Sequence, residues 1–524
     1  MESEAIALGF SQPHLKVLQR WQHADTLTAL LTAALTAATF LSVSYVLYSR
    51  MFSPLAKVDG PFWASLSRLW LVKHSRDGDM HRTIIAAHKR YGSLVRTGPS
   101  EVSVADLDAI KKIYGAGTKF RKSDWYSVWQ GRRQFDIFPE RDEKVHGAQR
   151  RLLSHLYAMK SLVQYEDKVN EAIEVFVKSI KDWGTREPLN LGVWVQFFAF
   201  DVIGAITFSK RFGFLEAGSD NGQFKILERA LRSGSWVGQM PWIYWLNEAL
   251  MPYIGNFLDV MARHGSVRQF AKTQVDARLT KDNSSYTDLL ARFFDVNKSK
   301  PREFDDTAVL SMTTSNIFGG SDTTAIALRA IIWYILKNPH CKGKLMDEIN
   351  EQQRNGKLSF PATLQETENM PYLQACMYEA LRLHPAVGMS LPRVVPEGGF
   401  EIDGRFLPAG TIVGVNPWVA HRDERVFGKD AEDFRPERWL VEDKTELERY
   451  FFAFGSGARA CLGRNISWME MSKLVPTLFS RFDMSISTNN AKWTENCWFV
   501  HPTSLSVEAS VLNMSFPQVV RQTR

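Results

Sequence analysis

The chemistry in this sequence starts at one cysteine. From Phe451 to Gly463 the chain reads Phe-Phe-Ala-Phe-Gly-Ser-Gly-Ala-Arg-Ala-Cys-Leu-Gly. Gly455 and Gly457 permit a tight turn that a β-carbon would resist. After Cys461, the residues Ile466, Met469, Met471, Leu474 and Val475 predict an amphipathic helix. Exposed N–H groups at that helix start, with Arg459 adding positive charge, favour a thiolate at Cys461. A thiolate in an apolar, Phe-lined loop is poorly suited to hydrolysis and well suited to ligating a soft or borderline metal. The plain alternative is a structural cysteine after a glycine turn.

A second constellation lies in the longest helical pattern, predicted from Asp305 to Leu336 and closed by Asn338-Pro339. Its middle reads Phe318-Gly319-Gly320-Ser321-Asp322-Thr323-Thr324. Two glycines in a helix interior cost about 1 kcal/mol each relative to Ala, so they ask for a reason. They let the backbone open and another group approach, and an acid followed by a hydroxyl can pass protons. A helix break with local caps would use the same residues. A third set is Glu379 and Arg382, three apart on the predicted helix Met370–Leu383, with Arg438 in Phe434-Arg435-Pro436-Glu437-Arg438-Trp439.

Phe454-Gly455-x-Gly457-x-Arg459-x-Cys461-x-Gly463 resembles the haem-binding loop of the cytochrome P450 monooxygenases. The Gly319–Thr324 run, the Glu-x-x-Arg pair and the Pro-Glu-Arg element are similar to three further motifs of that family, in its order. The resemblance implies a mainly α fold with a small β-rich part. Haem b would lie between the long helix and the Cys461 loop, with Cys461 as axial thiolate, so that Phe454, Gly455, Arg459 and Gly463 become cofactor-binding residues. It gives Thr323 a hydrogen bond to the oxygen being activated and Asp322 the supply of protons. It makes Glu379, Arg382 and Arg438 a buried structural network, and sets His146, Arg150 and Arg393 against the haem propionates. It puts Phe318, Gly319, Val387, Met389, Trp498 and Phe499 around the substrate. Leu391-Pro392-Arg393-Val394-Val395-Pro396 and Trp498-Phe499-Val500 look most like fungal members of the pisatin-demethylase-like group.

These residues need elements to carry them. His146 to Met159 is predicted as a helix, as are Val193–Phe208, buried throughout, and Asp79–Tyr91. Leu94–Arg96 and Val102–Val104 are expected as strands about Gly98-Pro99, and Phe400–Leu407 as a hairpin turning at Asp403-Gly404. Residues 118–138 read as a long irregular loop, the family's position for a loop over the pocket. Residues 234–257, aromatic and broken by Gly and Pro, correspond to its roof at the membrane. His384–Arg393, with a proline near each end, is expected to stay extended.

From Thr26 to Ser49 no residue is charged, enough length to span a bilayer. Thr and Ser hydroxyls there can be returned to helix carbonyls. The excess of Lys and Arg after it puts the C-terminal bulk in the cytosol. The expected organisation is a short lumenal 1–25, an anchor at 26–49, a linker at 50–62 and a catalytic domain at 63–524, in the endoplasmic reticulum membrane as a single-pass protein. A cleaved signal peptide is the competing reading. With the anchor retained, the sequons at Asn283, Asn297, Asn465 and Asn513 would face the cytosol unmodified.

The chain has 524 residues, 45% hydrophobic, with 33 Phe and 16 Trp, enough for a large core and an apolar cavity. Four scattered cysteines match no zinc spacing or disulfide framework. A net charge of +7 without basic runs argues weakly for anionic membrane or an acidic partner and hardly at all for nucleic acid. No dinucleotide or flavin motif is present. Electrons are therefore expected from NADPH–cytochrome P450 reductase, with cytochrome b5 a further candidate. Lys429, Arg464, Lys473, Arg150 and Arg151 are the expected docking face. The function expected is oxygen insertion into a hydrophobic small molecule in fungal secondary metabolism. A haem-thiolate isomerase or dehydratase that needs no reductase is one alternative, and a non-enzymatic haem or lipid binder another. The Asp322-Thr323 pair argues against both.

Overall fold

The computed structural model describes residues 13–183, 188–255, 258, 262–279, 286–487, 493–502 and 505–512. The sequons Asn283 and Asn513 lie outside them, and of Cys497 only the backbone is described. Contacts divide the chain into two units, Met1–Lys57 and Val58–Arg524.

The first unit is helical from Pro13 to Leu47, continuing as a wider turn over Tyr48–Phe52. Helix therefore begins well before the uncharged stretch. Thr28–Phe52 is apolar and almost wholly exposed, Ser49 excepted, and passes the length and hydropathy criteria for a membrane span. Thr32, Thr36 and Thr39 each donate their hydroxyl to the carbonyl four residues earlier at 2.8 Å, which hides these polar groups from lipid.

The second unit is mostly helical with four small sheets. Helix Leu191–Phe208 is apolar all round, and such a helix is stable only inside a core. It is 89% buried, so its resemblance to a membrane span is compositional only. Helices Asp306–Gly320 and Asp322–Lys337 pack against it, and Arg464–Arg481 and Pro371–Leu383 pack on the second of these. The largest sheet orders its strands Leu94–Gly98, Glu101–Val104, Ile412–Val415, Arg393–Val394 and Arg121–Lys122. It holds Arg393 beside Lys122. The Phe400–Leu407 hairpin is present, with positive φ at Asp403 and Gly404.

Three sequence expectations change. The helix expected from Asp305 to Leu336 is two helices, broken at Ser321 (φ −90°, ψ −69°). Ser321 donates its hydroxyl to Ile317 O at 2.7 Å and Thr323 to Gly319 O at 2.6 Å, competing for the carbonyls that a straight helix would use. The helix expected from His146 to Met159 runs from Glu143 to Leu153 and tightens over Ser154–Tyr157, because Asp142 caps it early through the N–H groups of Lys144 and Val145. Residues 118–138 are no plain surface loop: they include a two-residue strand, a short turn of helix at Asp124–Tyr126 and helix Ser127–Gln130, with Trp125, Tyr126 and Trp129 buried.

Candidate functional site

The Cys461 loop is built by close approach. Gly455 and Gly457 both have positive φ. A β-carbon on Gly457 would stand 2.1 Å from Tyr114 O, so no other residue fits there. The Cys461 N–H donates to Phe454 O at 2.8 Å, and Arg150 donates to Ala460 O at 2.8 Å. Arg459 forks onto Glu143 at 2.7 and 3.1 Å and reaches Glu140 O at 2.6 Å. Arg459 and Arg150 thus tie the loop to the Glu143–Leu153 helix.

Cys461 keeps exposed surface although protein crowds it closely enough for burial to govern its proton affinity. Burial pushes the thiol up, with the N–H groups of Gly463 and Arg464 and the charge of Arg150 only partly opposing it. The thiolate expected from the helix start is therefore not favoured by the protein alone, and a cation at the sulfur would have to supply the rest.

Across from the loop, Thr324 shares a 2.8 Å hydrogen bond with Ser467, which pins the broken helix to the helix after Cys461. The two glycines serve different needs. A β-carbon on Gly320 would meet Ile203 at 2.8 Å, so Gly320 permits helix–helix packing. Gly319 has nothing within 4 Å, remains exposed in the middle of a buried helix, and carries the carbonyl that holds the Thr323 hydroxyl. Gly319 and the half-buried Thr323 thus open toward space, as does Gly463. Phe318 beside them is buried. Asp322 is 4% exposed; burial pushes its carboxyl up to about 6, against a 2.7 Å hydrogen bond from Gln196.

A basic cluster lies beside the Cys461 loop. Lys122, His146 and Arg393 are buried, and Arg150 and Arg459 are half-buried beside them. Burial, then Arg459, Lys122, Arg150 and Arg393, hold the His146 pKa down to about 3, so its ring is neutral. Lys122 donates to Phe138 O, and burial with Arg393 and Arg459 drives its pKa well down. Arg393 stacks over Tyr114 with its guanidinium 5.0 Å from the ring centroid, and bonds the Tyr126 hydroxyl at 3.3 Å. Arg459 is answered by Glu143, but among the described residues Lys122, Arg150 and Arg393 have no carboxylate within ion-pair distance. Buried cations are costly unless paired, so the cluster is built for an anion. A haem, with two propionates and an iron that takes thiolate, fits both the cluster and Cys461.

The residues proposed around the substrate meet in two strands of contact. Gly388 N–H donates to Trp498 O at 3.0 Å and Val500 N–H to Ala386 O at 2.8 Å, so Val387 bridges Phe499. Met389 is buried beside them. The C-terminal turn is a hairpin of Trp493–Cys497 and Phe499–Pro502 whose apex, Trp498, has φ 86°. A β-carbon makes that conformation costly, about 1–3 kcal/mol. Stacking on Trp125 (centroids 4.3 Å apart, planes at 27°) offsets part of it.

Glu379, Arg382 and Arg438 meet in the interior as the sequence implied. Arg382 forks onto Glu379 at 2.8 Å twice, Arg438 reaches it at 3.2 Å, and Trp439 donates to it at 2.8 Å. Burial raises the Glu379 carboxyl, but Arg382 and Arg438 outweigh it and hold it below the ordinary range.

Lys473 does not belong to a docking face. It is buried and donates to Glu166 and Ala362 O, joining three segments of the core. Arg150 is likewise turned inward, while Arg151, Lys429 and Arg464 are exposed. The sequon side chains Asn297 and Asn465 spend their amide N–H groups on Phe304 O and Tyr157 O. Lys122, Glu143, Gln196 and Arg329 were not anticipated. The last two carry no motif, and Lys122 is one of several basic residues in a segment read as loop.

The family profile described as Cytochrome P450 matches residues 59–508. Among curated relatives, cytochrome P450 monooxygenase hepC of Aspergillus oryzae is 38% identical over 476 residues, covering 87% of this chain and 92% of its own. Cytochrome P450 monooxygenase cicH of Emericella nidulans is 37% identical over 494 residues, with 90% and 97% covered. Pisatin demethylase of Fusarium vanettenii is 36% identical over 475 residues, with 87% and 89% covered.

Proposed function

The chain belongs to the cytochrome P450 family, and from that premise we propose that it inserts one oxygen atom from dioxygen into a hydrophobic small molecule of fungal secondary metabolism. Membership makes it a haem-binding oxidoreductase of the monooxygenase class. The reading is carried by one observation. Cys461 keeps exposed surface, Gly319 and Thr323 lie at an open helix break, and the buried basic side chains Lys122 and Arg393, with Arg150, have no carboxylate partner among the described residues.

Haem b, when bound, supplies dioxygen activation and oxygen transfer. The protein does the rest. Cys461 would hold the iron through its thiolate, and Phe454, Gly455 and Gly463 shape the loop that presents it. Lys122, His146 and Arg393 would take the propionates, His146 as a neutral donor. Arg459 and Arg150 hold the loop against the Glu143–Leu153 helix. Thr323 offers its hydroxyl at the open side of the helix break, and Asp322 behind it gives and regains protons near neutral pH. Phe318, Gly319, Val387, Met389, Trp498 and Phe499 orient the substrate and exclude water. The relative named pisatin demethylase supports a demethylation as one form of the reaction.

Electrons come from NADPH–cytochrome P450 reductase docking on Arg151, Lys429 and Arg464, with cytochrome b5 as a second donor. The Thr28–Phe52 span anchors the chain in the endoplasmic reticulum, with the catalytic unit in the cytosol. Membranes bearing the full-length protein, given NADPH, labelled dioxygen and reductase, should incorporate one labelled oxygen atom per turnover into an apolar substrate. Product formed equally well without reductase would favour the isomerase or dehydratase class.

A further inference from the structure

We propose that Gln196 is a positioning residue for Asp322, its amide bridging that carboxylate to Arg329 so that one carboxylate oxygen is anchored and the other is left to exchange protons. The inference rests on the reading of Asp322 as the proton carrier and adds the device that sets it.

Gln196 projects from helix Leu191–Phe208 and donates Nε2–H to Asp322 Oδ1 at 2.7 Å. Arg329, buried on the same helix as Asp322, donates to Gln196 Oε1 at 2.6 Å. The amide orientation is fixed by chemistry: a guanidinium can only donate, so the oxygen must face Arg329 and the NH2 must face Asp322. Gln serves where Glu would lack the donor and Lys the acceptor. Arg329 is itself fixed by a 2.8 Å hydrogen bond to Gly192 O, with Pro502 O at 3.5 Å. Asp322 Oδ2 has no hydrogen-bond partner among the described residues.

The bridge replaces a direct ion pair. A guanidinium in contact with Asp322 would hold it ionised and immobile, whereas an amide relays only part of that charge. The groups facing Asp322 are Gln196, Arg329 on its own helix, and Glu228 on helix Gln223–Val237. Glu228 opposes ionisation, and the other two favour it. The proton is given up from Oδ2, the oxygen Gln196 leaves free, and the carboxylate takes up a proton from bulk solvent, so that the group returns to its starting charge in each cycle.

The test follows the Asp322 carboxyl by infrared difference titration of the full-length ferric enzyme, its signal assigned by its loss in Asp322→Asn. Gln196→Met removes both hydrogen bonds at similar volume. Its midpoint should rise by about one pH unit. Gln196→Glu, which adds a negative charge, should move it higher still. The alkaline limb of turnover, where Asp322 loses the proton it donates, should move upward in the same order. Carbon monoxide spectra and melting temperatures check that each variant is folded. A Gln196→Met midpoint equal to wild type, or a Gln196→Glu midpoint below it, overturns the positioning role. Asp322→Asn leaving turnover and its solvent isotope effect unchanged overturns the proton role beneath it, whatever the Gln196 variants do.

Discussion

Two groups of buried charge lie on either side of this fold and are built on opposite terms. Around Glu379 every group is answered: both its oxygens accept from Arg382, one also accepts from Arg438 and the other from Trp439. The Arg382 and Arg438 N–H groups left over reach carbonyls of His421, Ala431, Asp433 and Asp430. Around His146 the sum does not close, since Lys122, Arg150 and Arg393 find carbonyls, hydroxyls and rings but no carboxylate among the described residues. A closed network holds structure. An open one has an energetic reason to bind, because an anion taken up there offsets the desolvation cost of its buried basic groups.

The sharpest way to break this contrast is to remove one member from each side. Glu379→Ala strands two buried arginines, and the folded protein should lose about 3–5 kcal/mol. Chemical denaturation, or failure of the protein to accumulate, reads the loss. Lys122→Met should act with the opposite sign on the haem-free protein, which sheds a buried amine that has no carboxylate partner among the described residues and gains stability or keeps it. Its haem affinity should fall about 10- to 100-fold, the worth of one charge-assisted hydrogen bond of about 1.5–3 kcal/mol. Haem transfer to a competing apoprotein measures this. Lys122→Met destabilising the haem-free protein as much as Glu379→Ala would erase the distinction between the two groups.

The same contrast recurs in miniature at the paired glycines. Gly320→Ala forces a β-carbon against Ile203 at 2.8 Å and should cost about 1–3 kcal/mol in melting measurements. Gly319→Ala enters open space and should change stability by no more than about 1 kcal/mol, toward greater stability if anything. Its effect belongs instead on substrate binding, read as a weakened Soret shift.

Much of this was legible in the sequence where motif and local physics agree. The Cys461 loop and the Glu379–Arg382–Arg438 network follow from spacing and from the family resemblance. What escaped depends on neighbours far away in the chain. The break at Ser321 is set by hydroxyls bonding backward, which a helical pattern does not reveal. Lys473 read as a surface cation until Glu166 and Ala362 were seen to enclose it. Lys122 gave no signal, because its burial comes from the sheet partner Arg393 and from Phe138. The Gln196 bridge joins residues 126 and 133 positions apart.

The central claim is that Cys461, unfavourable as a thiolate in the protein alone, exists to hold iron. The carbon monoxide difference spectrum of dithionite-reduced membranes, wild type beside Cys461→Ser, tests it most directly. The account predicts a thiolate-type Soret band in wild type and its loss in the variant. A histidine-type band in folded wild-type protein, or an unchanged band in Cys461→Ser, would contradict it.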